Sequence, residues 1–190
     1  MEDKKLMKHI RITSESVSRR NNKLLARAVV LLKRKRPKQA LRFLLQAKAK
    51  SKHNGLIYYN LGLAYEAVKR YRDAMRCYRR ALFYEPSLLD AAVCLGYLYG
   101  LKGNVKRELA CYDEVLKRDT KHMISLYNKA VVLDDKLDNQ RAAIPLYLQV
   151  LKQTLTRDQR RDVYMRLAYA YLDMRQYGKA IKSLRNLMND

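Results

Sequence analysis

The residues of this chain that could do chemistry are few and scattered. Asp134 and Asp135 are adjacent carboxylates, a pairing that serves acid–base catalysis only when both groups converge on one proton. Neighbours on a helix point about 100° apart, so the two read as a solvated acidic edge. Cys77, Cys94 and Cys111 are odd in number and lack CxxC spacing, which reads as buried free thiols in a reducing compartment. His9, His53 and His122 match no ligand pattern, so neither metal nor cofactor is expected. No GxSxG, phosphate-binding loop, HExxH or Gly-rich dinucleotide loop occurs, and the chain is expected not to be an enzyme. What remains is recognition chemistry. Fifteen tyrosines offer apolar faces with polar tips, and 41 Lys and Arg against 18 Asp and Glu give a charge of +23. Such an excess draws acidic partners or surfaces.

Composition bounds the rest. The 190 residues suffice for one domain with a full core, and 48% apolar residues argue against disorder. No apolar run approaches the roughly 20 residues that span a bilayer. The start, MEDKKLMKHIRITSESVSRR, lacks a secretory apolar stretch, and Glu2 and Asp3 weigh against a mitochondrial presequence. Cytoplasm is the expected compartment. The run Lys33-Arg34-Lys35-Arg36-Pro37-Lys38 resembles a nuclear-localisation signal, and a solvated basic turn reads the same way.

The elements that must position these residues recur every 34 residues. From Gly55, the segment GLIYYNLGLAYEAVKRYRDAMRCYRRALFYEPSL places Tyr58, Leu61, Gly62, Tyr65, Ala74, Tyr78, Ala81 and Pro86. That spacing resembles the tetratricopeptide repeat, W-x2-L-G-x2-Y followed by A-x3-F, A and P. Copies begin near residues 21, 55, 89, 123 and 161, giving segments 21–54, 55–88, 89–122, 123–160 and 161–190. The third carries Glu108 where the family prefers Ala and Thr120 where it prefers Pro. The fourth needs one inserted residue before its second helix, and three more precede the fifth. Pro37 and Pro86 fall at helix boundaries and Pro145 early in a helix. The resemblance implies an all-α, right-handed superhelical solenoid of antiparallel helix pairs across 21–190. Residues 1–20 precede it as a basic extension, partly disordered or a capping helix built on Leu6, Met7 and Ile10. The last copy lacks the extra helix that often covers such repeats. Exposure of Leu184, Leu187 and Met188 would then mark a dimer or partner contact, or a tolerated edge.

In the family the first helix of each pair lines a concave groove, mainly through its second, fifth, ninth, twelfth and thirteenth positions. Those 25 places hold six acidic residues and one basic one here, so the implied groove is apolar and mildly acidic. Tyr59, Tyr97, Tyr127 and Tyr169 fall on its fifth and ninth positions, whereas ten other tyrosines fill packing positions. The expected partner site is Tyr59, Leu63, Val93, Tyr97, Tyr127, Val131, Met165 and Tyr169, with Glu66, Asp90, Asp134, Asp135 and Asp162 selecting basic flanks. The same tyrosines could instead pack sideways between neighbouring first helices. The opposite charge sits outside, with Lys33, Arg34, Lys35, Arg36, Lys38 and Arg42 in the first repeat and Arg72, Arg76, Arg79 and Arg80 in the second.

Two readings follow. The first is an adaptor or assembly factor that binds a partner peptide or helix, its basic face making a second contact with an acidic protein or RNA. The alternative is a nucleic-acid- or ribonucleoprotein-associated protein whose basic face is the primary site. A carboxylate clamp for acidic C-termini is rejected. Asn60, Asn128 and Arg166 fit its slots, but its leading Lys and Asn are absent, and Asp90 and Asp162 stand at its lysine slot. The 34-residue period also separates the chain from the base-reading pentatricopeptide class.

Overall fold

A computed structural model describes residues 19–189. The expectations for residues 1–18, including the capping helix, lie outside the described residues. The described helices fall into two compact units. The first holds α1 (Arg19–Lys33), α2 (Pro37–Lys50), α3 (Gly55–Ala67), α4 (Tyr71–Tyr84) and α5 (Leu89–Leu101). The second holds α6 (Val105–Arg118), α7 (Met123–Val131), α8 (Gln140–Leu151), α9 (Arg157–Asp173) and α10 (Tyr177–Asn189). Among the described residues no strand occurs. The fold is all-α, and within each unit every helix packs on the next in sequence.

Local chemistry sets the boundaries. Asn54, Asn104 and Asn139 cap α3, α6 and α8, their side chains accepting from the N–H groups of Ile57, Arg107 and Ala142 at 2.9–3.1 Å. Pro37 opens α2 at a position that needs no N–H. The turn within each repeat passes through one left-handed residue: Lys35, Lys69, Gly103, Asp138 and Arg175. Only one of these five is the glycine that such a backbone favours.

Burial follows from the pairing of small against large. α3 is flanked by α2 and α4 and is apolar nearly all round, whereas α4 buries only Ala74, Met75, Tyr78 and Ala81. Gly62 sits under the fully buried Tyr78 ring, and a Cβ there would lie inside its van der Waals surface. The second unit is built around Tyr147, Leu126, Val150, Val163 and Leu167.

The two insertions have distinct fates. The single extra residue of the fourth copy is absorbed in its first helix, where α7 continues as a π-helical turn, Val132–Lys136. The later insertion lengthens α9, which starts at Arg157 rather than near 161. Thr156 and Gln159 close a reciprocal capping box there. Pro145 lies inside α8, as its position implied.

Because the Tyr78 ring leaves no room above Gly62, Gly62→Ala should destabilise the protein by about 1–3 kcal/mol in urea unfolding. Unchanged stability would mean that the helices separate freely at this contact.

Candidate functional site

In the second and fourth copies an acid at the twelfth position faces a tyrosine at or next to the twenty-fourth. In the second copy the carboxylate of Glu66, only 6% exposed, accepts the Tyr78 hydroxyl at 2.7 Å. In the fourth, Asp134 accepts the Tyr147 hydroxyl at 3.2 Å. The third copy has Gly100 at its twelfth position, and there Tyr112 turns to Glu108 at a long 3.5 Å. Lys136 completes that buried group from the next copy, its ammonium 2.6 Å from Glu108. The first and fifth copies carry leucine at both places, Leu32 with Leu44 and Leu172 with Leu184. Glu108, a departure from the family pattern, therefore replaces a missing acid. Glu66 needs correcting as a selector of basic flanks, because its charge is spent inside the repeat.

Burial sorts the expected site residues. Tyr59 is 3% exposed, its ring centroid 6.1 Å from that of Tyr78, and desolvation raises its hydroxyl pKa well above the usual value. Leu63 and Val93 are also buried in the first unit. These three form part of the packed interior between helices and offer almost no surface to a partner. Asp90 and Tyr97 are half-buried.

The second unit brings more of the set together. Tyr127 is buried; its hydroxyl donates to Asp162 and accepts from Arg166 Nε at 2.9 Å. The Arg166 guanidinium lies 5.7 Å from the Tyr127 ring centre and reaches Asp135 at 3.1 Å. α7, its π turn and α9 are thus joined by one hydrogen-bonded group. Beside it, Asp134, Asp135, Asp138, Gln140, Arg166, Tyr169 and Asp173 line a cleft of about 300 Å³. Four carboxylates face one guanidinium. Burial raises the Asp134 pKa, and the Tyr147 hydrogen bond opposes the rise. Tyr169 is 61% exposed, with Met165 and Leu172 also exposed on α9 and Val131 half-buried on α7.

Sequence reasoning left Asp138, Gln140 and Asp173 out of the expected site and placed Arg166 only in the rejected carboxylate clamp. The inserted residue was the available signal, because a wider helical turn shifts everything after it.

The basic residues also gather. Lys35, Arg36 and Lys38 line a second cleft, about 530 Å³, with Lys69 and no carboxylate among its lining residues. Lys33, Arg34 and Arg42 are exposed nearby in sequence. On α4, Arg72, Arg76, Arg79 and Arg80 all face outward. Arg76 pairs with Asp73 at 2.9 Å, whereas Arg79 and Arg80 donate to the neutral hydroxyls of Tyr99 and Tyr58.

Other chemistry is quiet. The three cysteines are half-buried and form no disulfide, and burial pushes Cys77 and Cys111 up to about 11. Among the described residues no cluster of three metal-ligating side chains occurs, and no helix is long and apolar enough to cross a membrane. Arg166, a fit to the carboxylate clamp, is already held by Tyr127 and Asp135. On α10, Tyr177, Ile181, Leu184 and Met188 are exposed.

Helix pairs stacked on a small-against-large contact define a class of protein-binding repeat scaffolds. Models of the tetratricopeptide repeat match residues 56–88 and 162–188, so the chain carries tetratricopeptide repeats. An uncharacterized protein, ycf37, from Cyanophora paradoxa is 31% identical over 77 residues, 40% of this chain and 45% of that protein. The match thus spans less than half of that relative's length. Among solved structures, MamA from Desulfovibrio magneticus RS-1 is similar with a TM-score of 0.74, 16% identity and coverage of 92% of this chain and 96% of that one. YrrB, described as a TPR protein with an unusual peptide-binding site, gives 0.65 at 17% identity over 87% and 84%. Cut9 with Hcn1, an APC/C hetero-tetramer, gives 0.74 at 17% over 88% and 33%. At these identities the structures share the fold.

The acid–tyrosine coupling makes a sharp expectation. Tyr78→Leu alone strands the buried Glu66 carboxylate and should cost about 3 kcal/mol or more. The double change to leucine at 66 and 78, copying the terminal repeats, should recover a large part of the loss in a double-mutant cycle of chemical denaturation. Additive losses would refute the coupling. The thiols give a second test: below pH 11, iodoacetamide labelling of Cys77 should rise about tenfold per pH unit, because only the thiolate reacts. Peptide mapping by mass spectrometry reads it. A plateau by pH 9 would show an ordinary thiol.

Proposed function

We propose that this chain is a non-catalytic adaptor whose second unit takes up a peptide or helix carrying a large apolar residue beside lysine or arginine. The observation that carries the reading is the cleft where Asp134, Asp135, Asp138 and Asp173 adjoin the exposed Tyr169 ring. On a molecule of charge +23 this is a local reversal of sign, which suits a basic flank and disfavours an acidic one. Tyr169, with Met165 and Leu172 on α9, supplies the apolar anchor. The peptide-binding site in the description of YrrB supports a peptide as the kind of ligand. The wider expected groove narrows in this reading, because Tyr59, Leu63, Glu66 and Val93 are inside the first unit.

A second contact lies on the first unit. Residues 19–102 hold twenty Lys and Arg against four Asp and Glu, and Glu66 is buried while Asp73 is paired with Arg70 and Arg76. That surface is left with charge to offer an anionic partner.

Selection from a displayed peptide library tests the first contact. Recovered peptides should pair Leu, Phe or Tyr with Lys or Arg, and Tyr169→Ala should weaken them at least tenfold in titration calorimetry. Asp135→Lys with Asp173→Lys should abolish binding. Acidification should also weaken it, with Asp134 neutralised first because its pKa is already raised. An acidic consensus, or binding indifferent to these changes, would overturn the assignment.

A further inference from the structure

We propose that the outer face of α4 is a stacking site for single-stranded nucleic acid, with Phe83 as the base platform. The inference rests on the reading of the first unit's basic face as a contact surface, and names its partner. Phe83 is 79% exposed, an unusual place for a wholly apolar ring on a highly charged helix. It is not isolated. Arg72, Arg76, Arg79 and Phe83 follow one another at intervals of three or four residues, with Arg80 beside Arg79, so the five form one stripe on the side opposite Ala74, Tyr78 and Ala81.

The ring is braced for stacking. Phe83 packs edge-on against Tyr84 with centroids 5.2 Å apart, and Tyr84 is stacked on Tyr58 at 5.4 Å. One face of Phe83 can be covered by a base without repacking the rings behind it. Arg79 and Arg80 are anchored through neutral tyrosine hydroxyls, so their charges stay uncompensated while their positions are fixed. At the other end of the stripe, Lys69 precedes α4 by two residues and shares its cleft with Lys35, Arg36 and Lys38. A phosphate backbone laid along the helix would meet cations over roughly 16 Å, from the 1.5 Å rise per residue.

Chemistry selects among anions. An acidic peptide would use the guanidinium groups but has no planar group that requires an exposed ring beside them. A duplex presents phosphates yet keeps its bases stacked on one another, out of reach of a ring on a convex helix. A single strand offers both phosphates and free base faces, which stack on aromatic side chains with little sequence preference.

Fluorescence anisotropy with the whole protein tests this, using labelled 12-nucleotide oligo(U) and oligo(dT), a 12-base-pair duplex and poly-glutamate as competitor. Both single strands should bind at about 50 mM salt, with affinity falling linearly on a log–log salt plot. Phe83→Ala should weaken both by about tenfold and leave the salt slope unchanged. Arg79→Gln with Arg80→Gln should reduce the slope by about 1.4, at about 0.7 per phosphate on a single strand. Circular dichroism would confirm folding, and library peptides should bind both variants normally. The proposal is overturned if Phe83→Ala changes affinity less than twofold, if the duplex binds as tightly, or if poly-glutamate displaces the strands at equal charge. Those outcomes leave a general anionic contact standing. Absence of binding by every polyanion would remove the basic-face reading as well. A preference for oligo(U) over oligo(dT) would identify RNA as the source of the strand.

Discussion

Everything in this molecule depends on how closely the two helices of a repeat approach. Gly62 beneath the Tyr78 ring sets that distance in the second copy, since any side chain there would collide with a fully buried aromatic. Close approach buries the first helix on several sides at once. It therefore turns residues that a helical wheel would place on a surface, such as Tyr59 and Leu63, into interior ones. The same approach creates a polar obligation. A buried tyrosine hydroxyl must find an acceptor: in the second and fourth repeats it is a carboxylate from the partner helix, and in the third it is Glu108 on the tyrosine's own helix.

That obligation explains a pattern which composition alone conceals. Glu66 and Asp134 serve as acceptors at equivalent positions, and Glu108 does the work from another position where glycine occupies the usual one. Repeats without the tyrosine use two leucines and need no acid. The acidic residues of the chain are thus divided between internal hydrogen bonding and external display. Only the second kind can attract a ligand, and around α9 enough of it remains to make a negative cleft on a positive protein.

The two units handle charge differently. The first leaves most of its cations facing solvent, with neutral hydroxyls rather than carboxylates steadying Arg79 and Arg80. The second ties Arg166 to Tyr127, Asp135 and Asp162 and exposes a local excess of carboxylates. One chain therefore carries surface charge of both signs, because short-range pairing within each unit is stronger than screened long-range attraction.

The 34-residue spacing by itself determined the helix pairs, their boundaries to within a few residues, and the presence of one extra residue in the fourth copy. These follow from local rules: asparagine at helix starts, proline at first turns, and small and large residues alternating at fixed intervals. Tertiary structure alone decided which tyrosines stay outside. Tyr169 and Tyr59 come from the same kind of helix, yet one is 61% exposed and the other 3%. Neighbouring helices impose that difference. It also decided where the extra residue goes, into a π turn that carries Asp134 and Asp135 to the cleft and Lys136 to Glu108. Periodicity is a property of one helix at a time, whereas burial and ion pairing depend on what a second helix brings within a few ångströms.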